Sequence, residues 1–305
     1  MIQNINWYPG HMKKTRELIQ DNLKMVDAVI EVIDARIPVS SRNPIIDELV
    51  SAKPRIIAIN KSDLADDEAT RLWKRKLTSA DGVGSASTQA VVMNSMSGEG
   101  RGQLFAVLEK ISDARTGSSA IKPCRLMIVG VPNCGKSSLI NRLTGHKSAK
   151  TGDRPGVTKG KQWLTLENGM QLLDTPGILW PKFEDPNVGM NLAFCGSIKD
   201  EILDVPTLAL ELTKVLTRRY PELLRERYKL EELLGEGEES PETGYPIETE
   251  TDAALANMHQ MALKRGCILP GKRIDYERMG RLLLDEFRSA KIGRITLEWP
   301  EEDDD

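Results

Sequence analysis

Short apolar runs alternate with helix-like segments over the first part of the chain. The runs are rich in β-branched residues, and a polar residue or glycine closes or follows each: DAVIEVIDAR (27–36), RIIAIN (55–60), QAVVMN (89–94), RLMIVG (125–130) and GMQLLD (169–174). Helical spacing of apolar residues separates the early runs, over 44–50, 67–78 and 102–112. Strands that alternate with helices predict an α/β fold, a mostly parallel sheet with helices on both faces. Ligands of such sheets bind at the carboxyl ends of the strands.

The pattern changes after residue 199, where only helical spacing remains. It predicts helices over 206–220, 251–264 and 276–290. In the last of these, the apolar residues Met279, Leu282, Leu283 and Phe287 recur at helical spacing, which indicates a packed face. We therefore predict a domain over 1–199 and a small C-terminal all-α domain over 200–300. Within the second we expect a mobile acidic loop over 231–252, and we read 301–305 as an acidic tail.

Charge divides the chain unevenly. Residues 1–199 carry seven more basic than acidic residues, whereas residues 200–305 carry ten more acidic than basic ones. The acidic loop and tail account for fourteen of those acids, so both folded bodies are mildly basic. Basic surfaces suit contact with RNA, although an ordinary solvated surface explains the charge equally well. The candidates for RNA contact are Arg36, Arg42, Lys13, Lys14 and the basic residues of 147–161.

Membrane and disulfide classes do not fit the composition. No run of about 18 apolar residues is present. The N-terminal segment lacks the apolar core of a signal peptide, so we expect no membrane contact. The four cysteines lie far apart without a CxxC spacing, which favours reduced thiols and a cytoplasmic protein.

A phosphate-binding loop follows the fourth run. Gly130 is followed after four residues by Gly135, Lys136 and Ser137, and a helical segment begins there. Glycines allow backbone N–H groups to turn towards phosphates, and the helix start adds partial positive charge. We predict that Lys136 bridges the β- and γ-phosphates and that Ser137 binds Mg²⁺. Asn133, Cys134 and Ser138 complete the expected loop contacts.

A switch motif follows the fifth run about forty residues later. Asp174 opens DTPG, a DxxG that ends at Gly177, and we expect Asp174 to hold Mg²⁺ and Gly177 to sense the γ-phosphate. A polar, glycine-rich stretch lies between the two motifs. Thr158, just before the strand-like QWLTLE, is the favoured residue to close on Mg²⁺ and the γ-phosphate, with Thr151 as the second choice.

The second run ends in NKSD, residues 60–63. An Asp carboxylate accepts two parallel hydrogen bonds, and guanine offers the two donors while adenine does not. We therefore predict that Asp63 reads guanine, Asn60 pins neighbouring loops and Lys61 lies along the base. The alternative is that Asp63 merely caps a helix. A weaker signal at Asn94, Ser95 and Met96 predicts the last base loop.

The order of the motifs is unusual, because the base-reading segment precedes the phosphate loop by about seventy residues. Joining the usual ends of a GTPase chain at 115–124 and opening it after the second switch would leave the packed structure intact. The sequence therefore predicts a circularly permuted P-loop GTPase domain that binds GTP and GDP. A phosphate-loop kinase or ATPase conflicts with Asp63.

In combination these motifs resemble the circularly permuted GTPases of ribosome assembly. The resemblance rests on WYPGHM, DARIPVSSRNP, NKSD, GVPNCGKSSLINRL, KTGDRPGVTK and LLDTPGILWPKFED, and it covers nearly the whole chain. It implies a GTPase that binds the large ribosomal subunit late in assembly and is stimulated by it. The alternative is a nucleotide-gated module that binds RNA or ribosomes with negligible hydrolysis. We expect a monomer.

Ile178 stands where many GTPases place the glutamine that orients the attacking water. Opening the chain after the second switch leaves the N-terminus near that switch, so His11 is the candidate to hold the water, as the resemblance also implies. The alternative is a role for His11 in capping or solvating the first helix. The resemblance further implies that K⁺ bridges Asn133 and the phosphates, the alternative being that Asn133 only stabilises the turn.

Overall fold

The structure is a computed structural model of the chain. It describes residues 17, 19–50, 53–78, 88–115, 122–145, 162–175, 185–240 and 244–300. Two compact units divide the chain: unit 1 is Met1–Ile198 with Glu298–Asp305, and unit 2 is Lys199–Leu297.

A six-stranded sheet in the order β3-β2-β1-β4-β6-β5 forms unit 1. Its strands are β1 Ala28–Asp34, β2 Arg55–Asn60, β3 Thr88–Val92, β4 Arg125–Val129, β5 Gln162–Thr165 and β6 Gln171–Asp174. All neighbours pair in parallel except β5, which runs antiparallel to β6. The parallel sheet expected from the apolar runs is therefore confirmed. Every residue of β1 and β2 is buried, which explains why both read as nearly continuous apolar runs.

Among the described residues of unit 1, helices cover Pro44–Val50, Asp67–Leu77, Arg101–Asp113, Lys136–Thr144 and Pro186–Phe194, and residues 19–23 are helical as well. The sequence pattern predicted the first three and the start of the phosphate-loop helix. It missed Pro186–Phe194, where Asp185 caps the helix by accepting a hydrogen bond from the backbone N–H of Asn187 at 2.8 Å.

Unit 2 contains the helices Val205–Arg219, Pro221–Tyr228, Glu250–Lys264 and Tyr276–Arg288, and a two-stranded hairpin of β7 Ile268–Leu269 and β8 Arg273–Ile274. The short helix Pro221–Tyr228 and the hairpin were not predicted. Part of the acidic segment is ordered by backbone hydrogen bonds, including Ile247 N–H to the carbonyl of Glu238 at 2.7 Å. Leu234 and Ile247 pack there with Ala253 and Ala256.

From Glu298 onward the chain groups with unit 1, whereas the sequence pattern placed residues up to 300 with the helical domain. The indole N–H of Trp73 donates to the carbonyl of Glu298 at 2.8 Å. The Glu298 carboxylate accepts hydrogen bonds from the backbone N–H groups of Val39 and Ser40 at 2.6 and 3.0 Å. Among the described residues, no helix is long and apolar enough to cross a bilayer.

Candidate nucleotide site

Asn60 joins two loops that are far apart in the sequence. Its Nδ2 donates to the backbone carbonyl of Cys134 in the phosphate loop at 2.9 Å. Its Oδ1 accepts from the N–H and the hydroxyl of Ser95 at 3.1 and 2.7 Å. Because β2 and β4 both flank β1, their carboxyl ends lie at one edge of the sheet. One buried side chain therefore connects three of the predicted segments into a single site.

The residues after Asn60 form a tight turn at the carboxyl end of β2. Lys61 has a left-handed backbone, with φ of 60°, and a 3₁₀ turn follows over Ser62–Leu64. Asp63 lies in that turn and is exposed, so its carboxylate is accessible to a ligand. The helix cap downstream is a different residue, Asp66, which accepts from the N–H of Ala69 at 3.0 Å. The capping alternative for Asp63 therefore has no support in the structure.

The predicted last base loop, at residues 94–96, forms a tight turn and is the third loop of the candidate site. The side-chain oxygen of Asn94 accepts from the N–H groups of Met96 and Ser97 at 2.9 and 3.1 Å. Asn94 is thus an organiser of the turn, while Met96 is 75% exposed. Arg142, on the helix that follows the phosphate loop, donates through Nε to the carbonyl of Ser95 at 3.2 Å and through Nη2 to that of Met96. The phosphate-loop helix therefore holds the third loop.

The phosphate loop depends on glycine at Gly135. Its φ is 95°, and a Cβ placed there would lie 2.2 Å from the Nδ2 of Asn60. The helix begins at Lys136, whose Nζ donates to the carbonyls of Gly130 and Val131 at 3.2 and 3.3 Å. Ser137 and Ser138 follow on the first turn and are partly exposed.

Asp174 closes the phosphate side of the site. It ends β6 opposite Ile128 of β4, and the hydroxyl of Thr175 donates to the Ile128 carbonyl at 2.5 Å. Burial raises the pKa of Asp174, and the charge of Lys136 and the Thr175 N–H offset only part of that effect. Lys136 thus lies within electrostatic range of the Asp174 carboxylate, as both motifs require.

Asn133 contacts a segment that sequence reasoning did not connect to it. Its Nδ2 donates to the backbone carbonyl of Gly196 at 2.6 Å. Four predicted site residues lie outside the described residues: His11, Thr151, Thr158 and Gly177.

One prediction about surface charge was wrong. Arg36 is only 1% exposed and forms a bidentate pair with Asp34, so it is not available to RNA. Arg42 is partly exposed, but it donates to Asp47 at 2.7 Å. The Asp-x-Arg spacing of Asp34 and Arg36 at the end of β1 is the sequence signal that could have predicted this pair. Nothing in the local sequence marked Arg142 or Gly196 as contacts of the site.

The arrangement can hold a nucleoside phosphate. An exposed carboxylate and a turn lie at one end, and a glycine loop, a lysine and a helix start lie at the other. Ser137 and Asp174 supply hydroxyl and carboxylate oxygens, the donor types that Mg²⁺ prefers. A buried carboxylate whose pKa is raised by burial gains from a nearby cation, so this donor set fits a divalent metal.

Comparison with known proteins gives consistent matches. A family model described as 50S ribosome-binding GTPase matches residues 125–236. The chain is 43% identical to Ribosome biogenesis GTPase A of Bacillus cereus, over 98% of this chain and 95% of that protein. It is 33% identical to the protein of that name from Thermotoga maritima, over 98% of this chain and 95% of that protein. The crystal structure of GNP-bound YlqF from T. maritima aligns with a TM-score of 0.59 at 28% identity, covering 95% of this chain and all of that one.

Proposed function

The chain belongs to the ribosome biogenesis GTPase A family, and we propose that its GTPase activity acts in late maturation of the large ribosomal subunit. Contact with the ribosomal RNA and proteins of that subunit, and K⁺, stimulate the hydrolysis of GTP to GDP and phosphate. The protein acts as a monomer in the cytoplasm, where bacterial subunits are assembled.

The observation that carries this proposal is the bond between Asn60 and Cys134. It joins the guanine-reading segment to the phosphate loop across 74 residues of sequence. In this site Asp63 accepts the two guanine donors, Lys61 lies along the base, and the turn at 94–96 borders its other side. Such a site rejects adenine because adenine leaves the carboxylate unpaired.

On the phosphate side, Lys136 and the loop from Asn133 to Ser138 bind the phosphates. Mg²⁺, when bound, neutralises charge that develops on the phosphate oxygens. Ser137 and Asp174 would hold it, and Thr158 would join them in the GTP state. Gly177 senses the γ-phosphate at the second switch.

For hydrolysis we propose that His11 holds or polarises the attacking water, because the apolar side chain of Ile178 cannot orient it. The water oxygen bonds to the γ-phosphorus as the bond to the β-γ bridging oxygen breaks. Asn133 would hold K⁺, which would supply positive charge to offset the negative charge that develops on the phosphate oxygens.

The test is GTP turnover with and without purified large ribosomal subunits, in KCl and in NaCl. We expect turnover to be highest with subunits in KCl, and His11→Ala to keep GDP binding but lose the stimulated rate. Stronger co-sedimentation with large subunits in a GTP analogue than in GDP is also expected. Turnover that is unchanged by subunits and by K⁺ would contradict the proposal, and no turnover in any condition would favour a nucleotide-gated binding module.

A further inference from the structure

Asp34 is a buried carboxylate at the end of β1, at the same sheet edge as the nucleotide site. Arg36 grips it through Nε and Nη2, at 2.9 Å to Oδ1 and 2.7 Å to Oδ2. The N–H of Arg36 adds a third bond to Oδ1 at 3.1 Å. The backbone N–H of Asp34 itself donates to the hydroxyl of Ser41 at 3.0 Å. The carboxylate therefore has one fixed orientation.

The remaining partner of this carboxylate is Lys61. Its Nζ lies 3.0 Å from Oδ2 of Asp34. The main chain supports the contact, because Asp34 pairs with Asn60 in the β1–β2 register and the N–H of Ala35 donates to the carbonyl of Asn60 at 2.8 Å. The Lys61 side chain is 23% exposed, whereas that of Asp34 is 3% exposed. The buried carboxylate of Asp34 thus contacts Lys61, a partly exposed lysine of the site.

Electrostatics agree with this geometry. Burial alone would raise the pKa of Asp34, but the charges of Arg36 and Lys61 and the hydrogen bonds from Arg36 outweigh it and hold the pKa well below its ordinary value. The carboxylate is therefore ionised at neutral pH. Because Arg36 already balances its charge, the ammonium of Lys61 remains a net positive charge at the edge of the site.

We propose that Asp34 is a positioning residue of the guanine site, which holds the Lys61 ammonium so that the side chain is already ordered when nucleotide arrives. The inference rests on the proposed placement of Lys61 along the base. A long lysine side chain loses rotamer freedom when it is fixed in a complex, and a partner that fixes it beforehand removes that loss from binding. Asp34 therefore strengthens nucleotide affinity without touching the nucleotide.

The variant Asp34→Asn tests this by equilibrium binding of a fluorescent GDP analogue. Ordering one rotamer-rich side chain corresponds to a roughly five- to tenfold change in affinity, and we expect D34N to lose GDP affinity by about that factor. Lys61→Ala also weakens binding, and the double variant D34N/K61A should bind no more weakly than K61A alone. A structural defect would weaken binding in either background, so this coupling separates positioning from general damage.

Glu31→Gln is the matched control. Glu31 is a buried carboxylate of the same strand, paired with Arg55, but it projects to the opposite face of the sheet from Asp34. Its variant should bind GDP like the wild type. Should D34N fail to fold, D34N/R36M removes both buried charges together and carries the same expectation.

Three results overturn the inference: wild-type affinity in D34N, additive losses in D34N/K61A, or an equal loss in E31Q. A wild-type protein that binds no guanine nucleotide would overturn the proposed site instead.

Discussion

The side-chain amide of Asn133 donates a hydrogen bond to the backbone carbonyl of Gly196 over 2.6 Å. Asn133 belongs to the phosphate loop and has a left-handed backbone, with φ of 58°. Gly196 follows the helix Pro186–Phe194, which comes after the second switch motif in the chain. The bond fixes the amide nitrogen and with it the direction of the amide oxygen, which is the atom that the proposed K⁺ site uses.

Asn133→Asp should therefore remove the K⁺ effect. An Asp carboxylate cannot donate to the Gly196 carbonyl, so the oxygen loses its fixed direction. We expect GTP turnover in KCl to fall to the rate in NaCl, while GDP binding stays measurable. The control is Asn168→Ala, an exposed residue in the β5–β6 turn, which should keep the KCl preference. A KCl preference that survives in N133D would show that the bond to Gly196 does not orient a K⁺ ligand.

Asp63→Asn should change base selectivity. An Asn side chain offers one donor and one acceptor in place of two acceptors, which suits xanthine better than guanine. We expect GDP affinity to fall about 100-fold and xanthosine diphosphate to become the better competitor in a binding assay. Asp66→Asn is the matched control, because Asn caps a helix as well as Asp does. Unchanged guanine preference in D63N would remove Asp63 from base reading.

Gly135→Ala should disrupt the join between the two halves of the site. The new Cβ would lie 2.2 Å from the Nδ2 of Asn60, at a residue whose φ is 95°. We expect GDP affinity to fall at least about tenfold, because the Asn60–Cys134 bond is lost. Gly102→Ala is the control, since a Cβ there meets nothing within 4 Å and helix propensity predicts a gain of roughly 0.5–1 kcal/mol in stability. Normal GDP binding by G135A would contradict this account.

Glu298→Gln should destabilise unit 1. The amide Nε2 would face N–H donors that now bind the Glu298 carboxylate, and Asn191 donates to it as well, at 3.0 Å. Unsatisfied buried groups of this kind cost about 1–3 kcal/mol. The sequence has no tryptophan within residues 199–297, the range of unit 2, so tryptophan fluorescence during urea unfolding reports on unit 1. The exposed Glu277→Gln should leave the midpoint unchanged, and an equally unchanged midpoint in E298Q would refute the prediction.

The pKa of Asp34 gives the stability of unit 1 a defined pH dependence. The pKa is lowered on folding, so below the ordinary value of 3.8 the unfolded chain takes up a proton that the folded chain does not. The stability that Asp34 provides is therefore complete at pH 7 and is lost progressively as the pH falls through and below that value. The free energy of unfolding of wild type minus that of D34N should shrink towards acid. A difference in free energy of unfolding that grows as the pH falls would contradict this prediction.

Much of the site could be predicted from local chemistry. The runs that end at Asn60, Gly130 and Asp174 are apolar because parallel strands are buried on both faces, and the polar residue after each run therefore had to lie at the carboxyl edge. Residue types and spacing then assigned the phosphate loop and the guanine reader. None of these inferences needed a contact between distant residues.

The sequence by itself therefore determined the sheet, the motifs and the family, because each is written in residue type and short-range spacing. Only the tertiary structure decided which side chains meet: Arg36 turns inward to Asp34, Asn133 binds Gly196, and Glu298 caps a loop about 260 residues away. Such pairs depend on strand order and on the packing of loops, and hydrophobic periodicity carries no information about either. An arginine that reads as a surface charge in the sequence is for that reason a buried partner of Asp34 in the fold.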